Sequence, residues 1–139
     1  MIDFFTEQID FQINNKDVLI QWIKNTAKEE NRKTGEISII FTSDDNLLEI
    51  NKKYLNHDYY TDVITFDYSE NDTISGDIFI SIDRVKENAQ IYNSKFEQEL
   101  HRVIIHGILH LIGYKDKNET DQKLMRQKED YYLQKLEQL

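Results

Sequence analysis

The sequence contains no cysteine and no proline, and glycine occurs only four times in 139 residues. Without cysteine there can be no disulfide and no thiolate metal site, a usage that suits a reducing compartment. With so few glycines, each of Gly35, Gly76, Gly107 and Gly113 is expected to have a backbone role. No stretch approaches the roughly 18 apolar residues that a membrane span requires. Met1 to Gln12 lacks a basic segment followed by an apolar run, so no secretory signal is expected. Positive charge is also scarce: 17 Lys and Arg stand against 26 Asp and Glu, for a formal net charge of −9. Indiscriminate nucleic-acid binding needs clustered Lys and Arg, and this balance argues against it. A local basic patch remains compatible with it. The expectation is a soluble cytoplasmic protein without membrane association.

What is present is enough for an ordinary core. Hydrophobic residues make up 39% and aromatics 12%, and a chain of this size hides about two-thirds of its unfolded surface. One domain over residues 1–139 is expected. Short alternating bursts at residues 2–5 and 9–13 predict a strand or hairpin. Val18, Leu19, Trp22, Ile23 and Ala27 have helical spacing and predict a helix over 16–31. Glu36 to Phe41 predicts a strand, and Ser43 caps a helix near 44–54. Strands follow at 61–66 and 74–82. Asp83 is expected to cap a helix running to about Tyr92. The pattern Ser94-Lys-Phe-Glu97 reads as a capping box for a long helix that Gly113 ends. A last helix, capped by Asn118, spans 119–137 and carries the apolar positions Leu124, Tyr131, Tyr132 and Leu136. Strands first and helices later is an α+β pattern.

Three of the four histidines lie between His101 and His110. His106 and His110 stand four apart, which on a helix puts them on one face about 6 Å apart at Cβ. Two imidazoles so placed can share an ion at about 2.0–2.1 Å, although the bare spacing is more often a solvent-facing or hydrogen-bonded pair. Here they sit among Val103, Ile104, Ile105, Ile108, Leu109, Leu111 and Ile112, so the helix is buried and the imidazoles need partners. Gly113 lets the chain fold back, Tyr114 can anchor the bend, and Asp116 can supply a third ligand or act only as a turn residue before Asn118. Two His and one carboxylate leave a fourth position for solvent, the catalytic pattern. Gly107 stands where zinc peptidases carry their glutamate base, and it equally suits close helix packing. Neither His57 nor His101 is expected to be a ligand. Asp62 and Asp77 are candidates to hold an imidazole N–H, or to bond only backbone near strand ends.

The stretch His106-Gly-x-Leu-His110-Leu-x-Gly113-Tyr114 resembles the signature of the YbeY family of metal-dependent endoribonucleases. Asn51-Lys-Lys-Tyr54, Thr61-Asp-Val-Ile-Thr-Phe66, Gly76-Asp-Ile78 with Ile80-Ser-Ile82, and the segment Arg84 to Ala89 resemble it in the same order. The likeness covers about residues 35–138. It implies an α+β fold, a mixed four-stranded sheet packed with about five helices, with the metal site at the end of the buried helix. It also implies one zinc ion and single-strand-specific cleavage in 16S rRNA 3′-end maturation and ribosome quality control. The implied partners are ribosomal RNA and the small ribosomal subunit with its proteins, in the cytoplasm, for a monomeric protein.

Two positions depart from the family pattern. The pattern ends Gly-Tyr-Asp-His, and Asp116 stands at its last histidine, so the implied ligand set becomes His106, His110 and Asp116. An oxygen ligand brings Mn²⁺ or Fe²⁺ into competition with zinc. Leu55 stands where many members carry an arginine, and Lys52, Lys53, Arg102 and Lys115 are the candidates to contact phosphate in its place. No side chain is assigned as catalytic base. Two other readings compete: an assembly factor with a structural metal, and a different metal-dependent hydrolase.

Overall fold

The computed structural model describes residues 1–139. Its elements are β1 (Ile2–Thr6), α1 (Lys16–Glu29), β2 (Lys33–Thr42), α2 (Asp44–Leu55), β3 (Val63–Asp67), β4 (Thr73–Ser81), α3 (Ile82–Ile91), α4 (Phe96–Ile112) and α5 (Glu119–Glu137). The four strands form one sheet in the order β1-β2-β4-β3. β1 and β4 both run parallel to β2, with Ile2 opposite Ile37 and Ile39 opposite Ile78, while β3 returns antiparallel to β4. This is the mixed four-stranded α+β architecture, with five helices.

Alternation along β4 divides the two faces of the sheet. Ile74, Ile78 and Ile80 are buried and face α4, whereas Asp77 and Phe79 line the opposite face beneath α2. Helix α4 lies close against the sheet because Gly107 has no side chain: a Cβ there would sit 2.8 Å from Ile78 Cγ2. Leu100, Val103, Ile104, Ile108, Leu109 and Leu111 of α4 join Trp22, Ile23, Ile37 and Ile39 in one apolar cluster. Each such side chain contributes about 1.5–3 kcal/mol on burial, so α4 is held rigidly along most of its length. No helix is long and apolar enough to cross a membrane.

Several local expectations need correction. Residues 9–13 form no second strand. Gln8 takes a left-handed conformation, φ 61°, which breaks the extended run, and Phe11 instead packs edge-on against Phe41 and Phe96. Ser81, not Asp83, caps α3, accepting from the Arg84 amide at 3.1 Å. The Ser94 capping box is displaced by one residue: Gln98 accepts from the Lys95 amide, and the buried Ser94 Oγ has no hydrogen-bond partner. Of the apolar positions expected on α5, Tyr132 is buried and Leu136 packs against the core, but the other two are not inward. Met125, Glu129 and Tyr132 are buried, while Leu124 and Tyr131 are exposed. Left-handed turns fall mostly on asparagine: Asn15, Asn31, Asn56, Asn71 and Asn93 all have positive φ. Asparagine tolerates that conformation better than most residues, so a glycine-poor chain can still turn sharply.

Candidate metal centre

Helix α4 delivers both imidazoles to one place. His106 and His110 lie one turn apart near its C-terminal end, with ring centroids 4.5 Å apart. Gly113 then ends the helix at φ 123°, a region that side-chain-bearing residues avoid. The Gly113 and Tyr114 amides both donate to Leu109 O, at 3.1 and 3.0 Å, and the chain doubles back over the helix end. Tyr114 fixes the bend from below by donating its phenol to Glu30 Oε1 at 2.7 Å. The result brings Asp116 over the histidine pair.

The three donor atoms face one another. His106 Nε2 and His110 Nε2 are 3.0 Å apart, and Asp116 Oδ2 lies 3.2 and 3.3 Å from them. Donors at about 2.0–2.1 Å around a tetrahedral ion stand roughly 3.3 Å from each other. The observed triangle therefore fits one divalent ion bound on one side of it.

Both imidazoles are oriented through their far nitrogens. His110 Nδ1 donates to Tyr114 O at 2.9 Å. His106 Nδ1 donates to Glu129 Oε2 at 2.7 Å, and Glu129 Oε1 accepts from Arg102 Nη1 at 2.8 Å. These bonds put the protons on Nδ1 and leave Nε2 free to ligate. The Glu129 carboxylate is buried, which alone would raise its pKa, but the bonds from His106 and Arg102 hold it below the usual range. Burial pulls His106 down, yet Glu129, Asp116 and Asp62 together raise it above its ordinary value. Burial and the charge of His106 hold His110 below its ordinary value.

A cavity of about 400 Å³ opens over these donors, walled by Asn51, Leu55, His57, Tyr59, Asp62 and Lys117 among others. Asp62 lies within it, half-buried, and burial pushes its carboxyl up despite the nearby His106. Asp77 does not approach the site, because it points to the opposite face of the sheet. Gly107 faces Ile78, so no side chain at that position could reach the donors. His101 packs edge-on to Trp22, with centroids 6.2 Å apart.

None of the four phosphate candidates lines the cavity. Arg102 is bound to Glu129 and Asp130. Lys52 sits between Glu49 and Asp58 at 3.7 and 3.6 Å. Lys53 lies 5.3 Å over the Tyr54 ring on the far side of the sheet. Lys115 is exposed, and the lysine that does reach the cavity is Lys117. Glu129 is a further residue of the site that the sequence did not single out. Its one visible sign is a carboxylate inside the apolar stripe Met125, Glu129, Tyr132.

Comparison with known proteins places these features in context. A family model described as Endoribonuclease YbeY matches residues 1–137. The Endoribonuclease YbeY of Flavobacterium psychrophilum is 54% identical over 129 residues, spanning 93% of this chain and 92% of its own. That of Cytophaga hutchinsonii is 51% identical over 133 residues, spanning 95% and 93%. A solution structure of a Thermotoga maritima protein has 31% identity and a TM-score of 0.69, covering 98% of this chain and 89% of its own.

Proposed function

The chain belongs to the Endoribonuclease YbeY family, and from that premise we propose that it is a single-domain, metal-dependent endoribonuclease. In this reading His106, His110 and Asp116 hold one divalent ion. Zinc is the first candidate, with Mn²⁺ and Fe²⁺ favoured further by the carboxylate donor. The substrate is single-stranded RNA at the 3′ end of 16S rRNA, processed and quality-checked on the small ribosomal subunit. The protein acts as a monomer in the cytoplasm.

The observation that carries this reading is the donor triangle with edges of 3.0–3.3 Å, oriented through Glu129 and Tyr114 and open to a cavity. A divalent ion bound there supplies a Lewis acid for a phosphate oxygen. The chain's own residues do the rest. Glu129 and the Tyr114 carbonyl hold the two imidazoles in the ligating tautomer. Lys117 at the cavity wall offsets negative charge that develops on the phosphate. Asp62 is the carboxylate in the cavity wall outside the donor set, and its raised pKa suits it to take up and return a proton. A peptidase mechanism with its base after the first histidine is disfavoured, since Gly107 faces the sheet.

Cleavage of a single-stranded oligoribonucleotide by the metal-loaded protein tests the proposal, with a duplex of the same sequence as control. Native protein should cut the single strand, and His110→Ala should not. Asp62→Asn should keep its metal and lose most of kcat. Native protein that binds metal but leaves RNA intact, while Leu55→Arg cleaves it, would replace the enzyme reading with that of a metal-braced assembly factor.

A further inference from the structure

The cavity over the donors is poor in positive charge, and Lys117 is the lysine in its wall. A net charge of −9 adds no general attraction for a polyanion. Phosphate contacts alone therefore provide little hold on RNA. The wall also carries His57 and Tyr59, whose rings stack at 5.1 Å between centroids and 20° between planes. Tyr59 is 56% exposed. An exposed, ordered aromatic ring at the mouth of a polar cavity is the feature that single-stranded nucleic acids use for base stacking.

This pair is built in, not merely left at the surface. The Tyr59 phenol bonds His57 Nδ1 at 3.0 Å. The buried Asn51 side chain donates to Tyr59 O at 2.9 Å, and the Asn51 backbone carbonyl accepts from the His57 amide at 3.1 Å. The left-handed Asn56, φ 56°, turns the chain out of α2 at this point. The neighbouring Tyr60 is held separately, through Asp45 and under the Arg84 guanidinium. One ring of the Tyr59–Tyr60 pair is thus pinned to the protein, and the other is presented beside the metal centre.

We propose that the His57–Tyr59 stack is a nucleobase-binding subsite, and that it holds an unpaired base of the RNA next to the bond to be cut. The inference rests on the RNA-cleaving reading above and adds the residues that select single strands. A base must leave its helix to lie on Tyr59, so duplex RNA is excluded by the cost of unstacking. Binding here should depend on the base more than on the phosphates, with log affinity falling against log salt by only about 0.7 per phosphate neutralised.

The test uses a short 2′-O-methyl oligoadenylate, which resists cleavage, and the same backbone lacking its bases. Fluorescence anisotropy gives both affinities for the metal-loaded protein. Native protein should prefer the base-bearing strand by roughly 5- to 150-fold, the range typical of one stacked base. Tyr59→Ala and Tyr59→Leu should lose that preference, while Tyr59→Phe and Tyr59→Trp keep it. All variants should retain full metal content, and exposed Tyr92→Ala should behave as native. A Tyr59→Ala protein that still prefers the base-bearing strand would overturn the subsite. Native protein that shows the preference yet never cleaves the unmodified RNA would overturn the enzymatic reading and leave the subsite standing.

Discussion

Replacing Glu129 separates folding from metal holding. Its side chain is 6% exposed and joins Arg102 at 2.8 Å to His106 Nδ1 at 2.7 Å. Glu129→Ala removes both charge-assisted bonds. It leaves a guanidinium held only by Asp130 and an imidazole N–H facing no acceptor. Breaking a buried pair from one side costs about 3–5 kcal/mol, which should appear as a large drop in the urea midpoint of the metal-free protein. Glu129→Gln keeps the volume and one acceptor for Arg102, so the folding loss should be smaller. The Gln amide cannot both accept from Arg102 and accept from His106. Its NH₂ favours a bare Nδ1, which moves the imidazole proton to Nε2, the ligating atom. Loss of such an orienting bond typically weakens metal binding 10–100-fold. Chelator competition with Zn²⁺ should therefore show similar losses for both variants, while urea unfolding separates them. A Glu129→Gln protein that binds Zn²⁺ like native would refute the tautomer argument.

Other expectations follow from the same contacts. Glu30 accepts from Tyr114, Tyr132 and Lys128; burial raises its pKa, but those bonds carry it below the ordinary value. Its stabilisation is present above the unfolded carboxyl pKa, near 4.3, and is lost as pH falls through the lower folded value. Urea unfolding of native and Glu30→Gln should therefore differ near neutrality and converge in acid. The His106 pKa is raised in the ion-free protein, so metal competes with its proton. Zn²⁺ affinity should climb with pH until the elevated His106 value is passed, and binding below it should release protons to the buffer. Gly107→Ala gains helix propensity but forces a Cβ to 2.8 Å from Ile78. Overpacking of this kind costs about 1–3 kcal/mol, and the urea midpoint should fall.

The parts of this molecule that were legible in its sequence are those encoded locally. Helix α4 announces itself by period, and its end by Gly113, so the placement of His106 over His110 follows from four residues of spacing. The bend to Asp116 needed the family resemblance, because a loop aspartate before a helix cap looks the same with or without an ion. Glu129 and Glu30 were beyond reach for another reason: each acts on a partner 23 or more positions away. Which residues of α5 face inward depends on how that helix docks, and its weak amphipathicity let Leu124 and Tyr131 stand in for Met125 and Glu129. The strand expected at 9–13 had the right alternation, but Gln8 turns the chain away and Phe11 packs on Phe41 and Phe96 instead of pairing along the open edge of β1. The surroundings of the phosphate-contact candidates were equally out of view: none of the four lines the cavity. Arg102 is basic in sequence but is neutralised in space by two carboxylates of α5.

Native mass spectrometry of the purified protein, with the metal identified by elemental analysis, addresses the central claim directly. One divalent ion per chain is expected for the native protein, and His106→Ala, His110→Ala and Asp116→Ala should each lose it while remaining folded by circular dichroism. Full metal occupancy in folded His110→Ala or Asp116→Ala would contradict the account, because the ion would then lie outside the triangle of Nε2, Nε2 and Oδ2.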